Sequence, residues 1–351
     1  MIDLSTSKYY YVTGNTSQGF VNYLATNIKD IKHLIVLKHQ SHTIKTAVLK
    51  QFIQKLEELN VPLEILCSPF GEEYLEGVIV RDRSLAVLSD TVMTPRVKHD
   101  KVIELSQWFP ELNSQINNAT ERIHVNREKS YKKLEKALKI HDDLEAIFIK
   151  EMNFEQANKI SDNFIEKLLQ NVSKQNRTPH IYHRLFGTNT DQGAVNQLPQ
   201  LIEDIPNRVY IKGRAGTGKS VFLNKIIQSC TNDGFDIEQY HCSFDPGSTD
   251  MVLVPALHVC IFDSTAPHEL MPDRSDDVVI DLYEETVTPG TDEKYAKEIG
   301  RITKEYKAVL QEGIDDLKEA KFWQNEIEGQ YEHWEKNKVN AIVEDILTNL
   351  K

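Results

Sequence analysis

The sequence predicts an α/β protein made of two tandem copies of one parallel-sheet unit, each with an α-helical hairpin inserted or appended. Three observations carry this expectation. A glycine-rich stretch, Gly213 to Ser220, lies between an apolar β-type run and a helix-type run. The two halves of the chain align at a spacing of 174 residues. After each strand-rich part the composition turns helical and charged.

In the glycine-rich stretch, Gly213, Gly218, Lys219 and Ser220 complete the pattern G-x-x-x-x-G-K-[ST]. Val209 to Ile211 enters it as a strand, and Val221, Phe222, Ile226 and Ile227 leave it as a helix. This is the pattern of a phosphate-binding loop. Gly213, Gly216 and Gly218 allow positive φ and close approach to an anion, so that successive N–H groups and the helix N-terminus point at phosphate. The expected nucleotide-binding run is therefore Gly213, Arg214, Ala215, Gly216, Thr217, Gly218, Lys219, Ser220 and Val221. Lys219 would reach the β- and γ-phosphates of ATP, and the Ser220 hydroxyl would hold Mg²⁺.

Such a site needs a carboxylate at the end of a neighbouring buried strand. Ala256 to Phe262 has the length and apolar character of that strand, and Asp263 follows it as the expected metal-holding carboxylate. Taken alone, a strand-terminal Asp more often caps a turn. His268 and Glu269 are candidates to position a water or to report the γ-phosphate. Asp245 and Asp250 are candidates for substrate, metal or the attacking water, although Asp245-Pro246-Gly247 is equally a turn signal. Arg274 is a further candidate for phosphate, with a solvated arginine as the simpler reading.

At 351 residues and 40% hydrophobic content the chain can bury two domain cores. A net charge of −12 argues against non-specific binding to nucleic acid or anionic membrane, because phosphate contacts need a basic surface. The four cysteines, Cys67, Cys230, Cys242 and Cys260, form no C-x-x-C pair, and the start of the chain shows no leader pattern. No apolar run approaches the roughly 20 residues needed to span a bilayer. A cytoplasmic protein with reduced thiols is expected. His241, Cys242, His258 and Cys260 fit no standard zinc spacing and are read as buried strand residues.

In order along the chain, Gly14 to Asn22 aligns with Thr188 to Asn196, and Lys38 to Gln54 with Lys212 to Gln228. The repeated Asn-Thr-x-Gln-Gly stretches, Asn15 to Gly19 and Asn189 to Gly193, read as turns or as covers for a nucleotide base. In the first copy, Leu34 to Leu37 is a strand, Ala47 to Asn60 a helix, Leu63 to Cys67 a second strand, Val78 to Val80 a third and Leu85 to Leu88 a fourth ending at Asp90. The second copy repeats this as Arg208 to Lys212, Val221 to Thr231, Ile237 to Cys242, Met251 to Val254 and Leu257 to Phe262. In the first copy His39, His42 and Ile44 replace the three glycines. A Cβ there makes the anion-cradling conformation costly, by about 1 kcal/mol or more per residue forced to positive φ. Lys45 and Thr46 survive as remnants of a degenerate loop.

Residues 99 to 172 carry Tyr131, Leu134, Leu138, Leu144 and Phe148 at helical spacing, with Phe154 to Leu169 as the returning helix. Residues 291 to 350 repeat this with Tyr306, Val309, Leu317, Ile327, Tyr331 and Trp334, then Val339 to Leu350. Asn171 to Arg177 reads as the linker, giving domains 1–172 and 173–351.

Gly14-Asn-Thr-Ser-Gln-Gly-Phe, Gly213-Arg-Ala-Gly-Thr-Gly-Lys-Ser, His241-Cys-Ser-Phe-Asp-Pro-Gly-Ser and Asp263-Ser-Thr-Ala-Pro-His-Glu together resemble a family of bacterial P-loop ATPases with two tandem repeats. The resemblance spans nearly the whole chain. It implies two P-loop NTPase-like domains and carries nucleotide and Mg²⁺ roles to Gly213, Gly216, Gly218, Lys219, Ser220 and Asp263. In that family the first repeat can hold an intact loop; His39, His42 and Ile44 depart from it, which argues against a first site. The functional expectation is an ATPase or NTP-driven switch working from the second copy. The alternatives are a kinase for a small molecule or nucleotide, and a non-catalytic ATP-binding scaffold. ATP is the expected ligand, with GTP as the alternative, beside an unidentified protein partner or small-molecule acceptor.

Overall fold

The computed structural model describes residues 7–111, 116–331, 333 and 335–348. Trp334 and Leu350, assigned above to the second helical part, lie outside them. The first repeat contains β1 (Lys8–Tyr10), β2 (Thr13–Thr16), β3 (Gly19–Asn22), α1 (Leu24–Asn27), β4 (His33–Lys38), α2 (His42–Glu57), β5 (Glu64–Cys67), β6 (Leu75–Val80), β7 (Leu85–Ser89) and β8 (Lys101–Glu104). Two helices follow, α3 (Ile116–Glu151) and α4 (Phe154–Leu169). The second repeat contains β9 (Ile181–Leu185), β10 (Gly187–Thr190), β11 (Gly193–Asn196), α5 (Leu198–Ile202), β12 (Asn207–Lys212), α6 (Lys219–Asn232), β13 (Ile237–His241), β14 (Thr249–Val254), β15 (Val259–Asp263) and β16 (Val278–Asp281). It closes with α7 (Leu282–Thr286), α8 (Thr291–Lys294), α9 (Ala296–Glu328) and α10 (Lys336–Thr348).

Each repeat builds a six-stranded sheet with the same order, β1-β5-β6-β7-β4-β8 and β9-β13-β14-β15-β12-β16. The alternation of buried apolar residues is what seats them: Ile35, Leu37, Val78 and Val87 point to one face of the first sheet, and Leu34, Ile79, Ala86 and Leu88 to the other. The sheets are mixed where all-parallel sheets were expected. β6 runs antiparallel to β5 and β7, and β14 to β13 and β15. The reason is connection length. Only residues 81–84 join β6 to β7, and only 255–258 join β14 to β15, far short of a crossover. Both links turn through a left-handed residue, Ser84 at φ 50° and His258 at φ 52°. A further difference is that residue 99 does not begin a helical part, because β8 follows it as an edge strand paired with β4.

The long helices also pair differently from the two separate hairpins expected. α3 lies antiparallel along α9, fixed by Lys133 to Asp316 at 2.7 Å and by the His141 ring against Tyr306 at 5.3 Å, and its last residue, Glu151, pairs with Lys294 at the end of α8 at 2.6 Å. At 36 residues, α3 is about 54 Å long and carries the chain from its own sheet to the other one. There α4 packs its Ile160, Phe164 and Leu168 on the outer face of the second sheet beside α6. α10 returns the exchange, burying Val339, Ile342, Val343 and Ile346 beside α2 on the first sheet.

The two inner sheet faces share one core. Leu66, Ile79 and Leu88 of the first sheet join Tyr210, Tyr240, Met251 and Phe262 of the second, with Leu24 of α1 and Leu198 and Leu201 of α5 between them. The β2–β3 and β10–β11 hairpins meet at a near-symmetric pair. Asn15 Nδ2 donates to the Asn189 carbonyl at 2.8 Å, and Asn189 Nδ2 to the Asn15 carbonyl at 2.9 Å. The Asn-Thr-x-Gln-Gly stretches are thus turns whose Asn side chains join the repeats.

Candidate functional site

β12 is flanked by two parallel neighbours, β15 and β16, so the loop that leaves it opens at the carboxyl ends of three strands. Residues 213–218 form this loop, and α6 begins at Lys219 with Gly218 as its N-cap. Gly216 and Gly218 hold φ of 75° and 81°, which only glycine adopts without strain. Thr217 Oγ1 donates to the Arg214 carbonyl at 2.8 Å, closing the turn. Among the described residues no side chain accepts a hydrogen bond from the amides of 213–221.

Lys219 folds back over the loop. Its Nζ donates to the Arg214 carbonyl at 2.8 Å and stands 3.6 Å from Asp263 Oδ2. Asp263 ends β15 beside the loop strand and accepts from Thr265 Oγ1 at 2.6 Å. Ser220 Oγ accepts from the Thr249 amide at 2.9 Å, which sets its rotamer and leaves a second lone pair. Because β14 is antiparallel to β15, its start lies beside the end of β15, and Asp250 is thereby placed next to Asp263. Burial pushes the Asp250 carboxyl up to about 6, with His268 pulling it down and Asp263 adding repulsion. His268 Nε2 is 3.9 Å from Asp250 Oδ2, buried and without a hydrogen-bond partner, and its ring meets Phe186 edge-on at 5.1 Å.

The other predicted residues scatter. Glu269 is half-exposed, 3.7 Å from Lys212. The Val221 side chain is exposed on α6. Arg214 reaches away to Asp292 at 2.9 Å and lies over the Tyr283 ring. Ala215 packs into the apolar cluster of Leu144, Ile147 and Phe148 on α3. Asp245 caps its own turn, accepting from Gly247 N and Ser248 Oγ, and Arg274 donates to the carbonyls of Glu203 and Ile205.

The residues that sequence reasoning missed come from the first repeat. α3 lies against the loop so closely that a Cβ on Gly216 would stand 2.5 Å from the Glu145 carbonyl oxygen. Burial raises the Glu145 carboxyl, with Asp142 and Asp245 adding to it, and burial lowers His141 one turn before. The apolar stripe of α3 was legible, but nothing in its spacing says which loop it covers.

The first repeat repeats this geometry with other chemistry. Leu75 N donates to Thr46 Oγ1 at 3.0 Å, matching Thr249 and Ser220, and Lys45 is buried against Asp90 at 2.6 Å. Its loop amides are taken by a carboxylate from α9. Glu328 Oε1 accepts from His42 N at 2.8 Å, and Oε2 from Thr43 N at 3.0 Å and Ser41 Oγ at 2.6 Å. Comparison of the chain with protein-family models, curated proteins and solved structures gives no match.

Proposed function

We propose that the second repeat binds a nucleoside triphosphate, ATP by preference over GTP, at the Gly213–Ser220 loop and hydrolyses it as an ATPase or nucleotide-driven switch. The observation that carries this reading is the convergence of Lys219, Ser220 and Asp263 at the mouth of a loop in which Gly216 and Gly218, though not Gly213, hold positive φ. The loop amides and Lys219 bind the phosphates and stabilise charge that develops on them. The hard oxygen donors of Ser220 and Asp263 suit Mg²⁺, which when bound neutralises phosphate charge. Asp250, at the start of β14, and His268, 3.9 Å from it in the segment that follows β15, orient the attacking water and take its proton. The first repeat binds no nucleotide, because Glu328 already occupies its loop amides and Lys45 is paired with Asp90.

Calorimetric titration of Mg·ATP and Mg·GTP into wild type, Lys219→Ala and Lys45→Ala, each checked for a wild-type melt, tests this. One site is expected, abolished by Lys219→Ala and kept by Lys45→Ala. No heat of binding in the wild type would end the proposal, and a second site lost with Lys45→Ala would end the assignment of the first repeat.

A further inference from the structure

The start of α2 has the form of an anion receptor. Its first amides, His42 N and Thr43 N, point outward with no earlier carbonyl to accept them, and Ser41 caps the turn by accepting from Ile44 N. In the second repeat the matching turn is the glycine loop. In the first, His39, His42 and Ile44 have removed the glycines, yet three donors still converge on one point.

What sits at that point is the side chain of Glu328, the last residue of α9, itself 5% exposed. Both carboxylate oxygens are used, and Gln324, one turn earlier on α9 and equally buried, donates to Oε1 at 2.7 Å. The neighbouring cations are otherwise engaged: Lys45 is paired with Asp90, and burial, then Lys45, keeps His42 neutral. The carboxylate is therefore met by amides and hydroxyl, the donor set that a phosphate group would receive.

We propose that the loop of the first repeat is an anion site whose resident anion is the Glu328 carboxylate, and that this contact latches the end of α9 to the first sheet. The latch fixes one end of the antiparallel α3–α9 pair. The other end of that pair lies on the glycine loop of the second repeat, through Glu145 and Gly216. The arms are thus anchored at the first loop and in register with the second. This inference does not depend on nucleotide binding at the second loop.

The test uses the full chain in a Lys219→Ala background, so that the second loop does not report. Glu328→Gln keeps the volume and removes the charge. It is expected to lower the melting temperature by several degrees and to speed hydrogen exchange at the His42 and Thr43 amides at least tenfold. Glu328→Ala is expected to recover much of its lost melting temperature on adding inorganic phosphate, with sodium chloride at equal ionic strength giving no such recovery. A Glu328→Gln protein that melts and exchanges like its parent would overturn the proposal. So would a destabilised Glu328→Ala protein indifferent to phosphate, which would make Glu328 an ordinary packing residue.

Discussion

Gly216 and Gly193 both hold positive φ, 75° and 97°, but only Gly216 has a neighbour where its Cβ would go. Gly193→Ala in the β10–β11 turn is expected to cost about 1–2 kcal/mol of left-handed strain. Gly216→Ala adds a clash with the Glu145 backbone and is expected to cost more, because α3 must shift. Urea unfolding of the two variants checks this, and equal losses would show that α3 does not press on the loop. Glu76 is the first-repeat counterpart of Asp250, fully buried, with Oε2 accepting from Thr13 at 2.5 Å and Oε1 unpartnered. Burial pushes its carboxyl up to about 7, against the pull of Thr13, Lys45 and Arg127. The folded chain thus holds this proton more tightly than the unfolded one. The resulting stability is full below the ordinary Glu range and fades as the pH rises through 7. Between about pH 4 and 8, Glu76→Gln should shift relative to wild type by up to about 3 kcal/mol in its favour. Parallel pH profiles would refute it. At this scale the glycine loop, Lys219, Ser220 and Asp263 were legible, because their chemistry needs fixed types at fixed spacing. Glu328 was not, because a lone Glu near a helix end carries no pattern.

Among the elements, the long helices and the main strands could be read from period and apolar content, whereas the edge strands could not. β8 and β16 are short and half-exposed, and Val102, Val278 and Val279 are apolar residues left exposed, so their alternation is weak. The antiparallel course of β6 was hidden for another reason: a fully buried strand reads the same in either direction. α10 shows what the exchange of helices contributes. Ile342 is 1% exposed among α2 and first-sheet residues, although the chain reaches it only after the whole second sheet. Ile342→Ala is expected to destabilise the protein by about 2–5 kcal/mol, and to increase exchange in α2 more than in α6. Greater exchange in α6 would contradict the packing of α10 on the first sheet.

The whole molecule is tied together across the repeats by apolar and charged contacts alike. Arg184, 1% exposed, reaches Glu64 of the first repeat and Glu238 of the second, each at 2.9 Å. Burial opposes the charged form of Glu64, but Arg184, Arg81 and Tyr10 outweigh it and hold the carboxyl down at about 2. A fragment of residues 1–172 would lose α10 from its outer face, the second sheet from its inner face and Arg184 from Glu64. It is expected to show no cooperative melt by near-ultraviolet circular dichroism; a sharp transition would mean that the first repeat folds without the exchange. No helix among the described residues is long and apolar enough to cross a membrane. By itself the sequence determined that the chain is α/β and duplicated, and that one loop has the residues of a phosphate cradle, because periodicity and local backbone demands are written within short windows. Only the tertiary structure decided that β6 and β14 run antiparallel, that α4 and α10 change places and that Glu328 fills the first loop. The exchange of helices and the Glu328 contact depend on which surfaces meet across long stretches of chain, which no local pattern of side chains encodes, and a fully buried strand carries no mark of its direction.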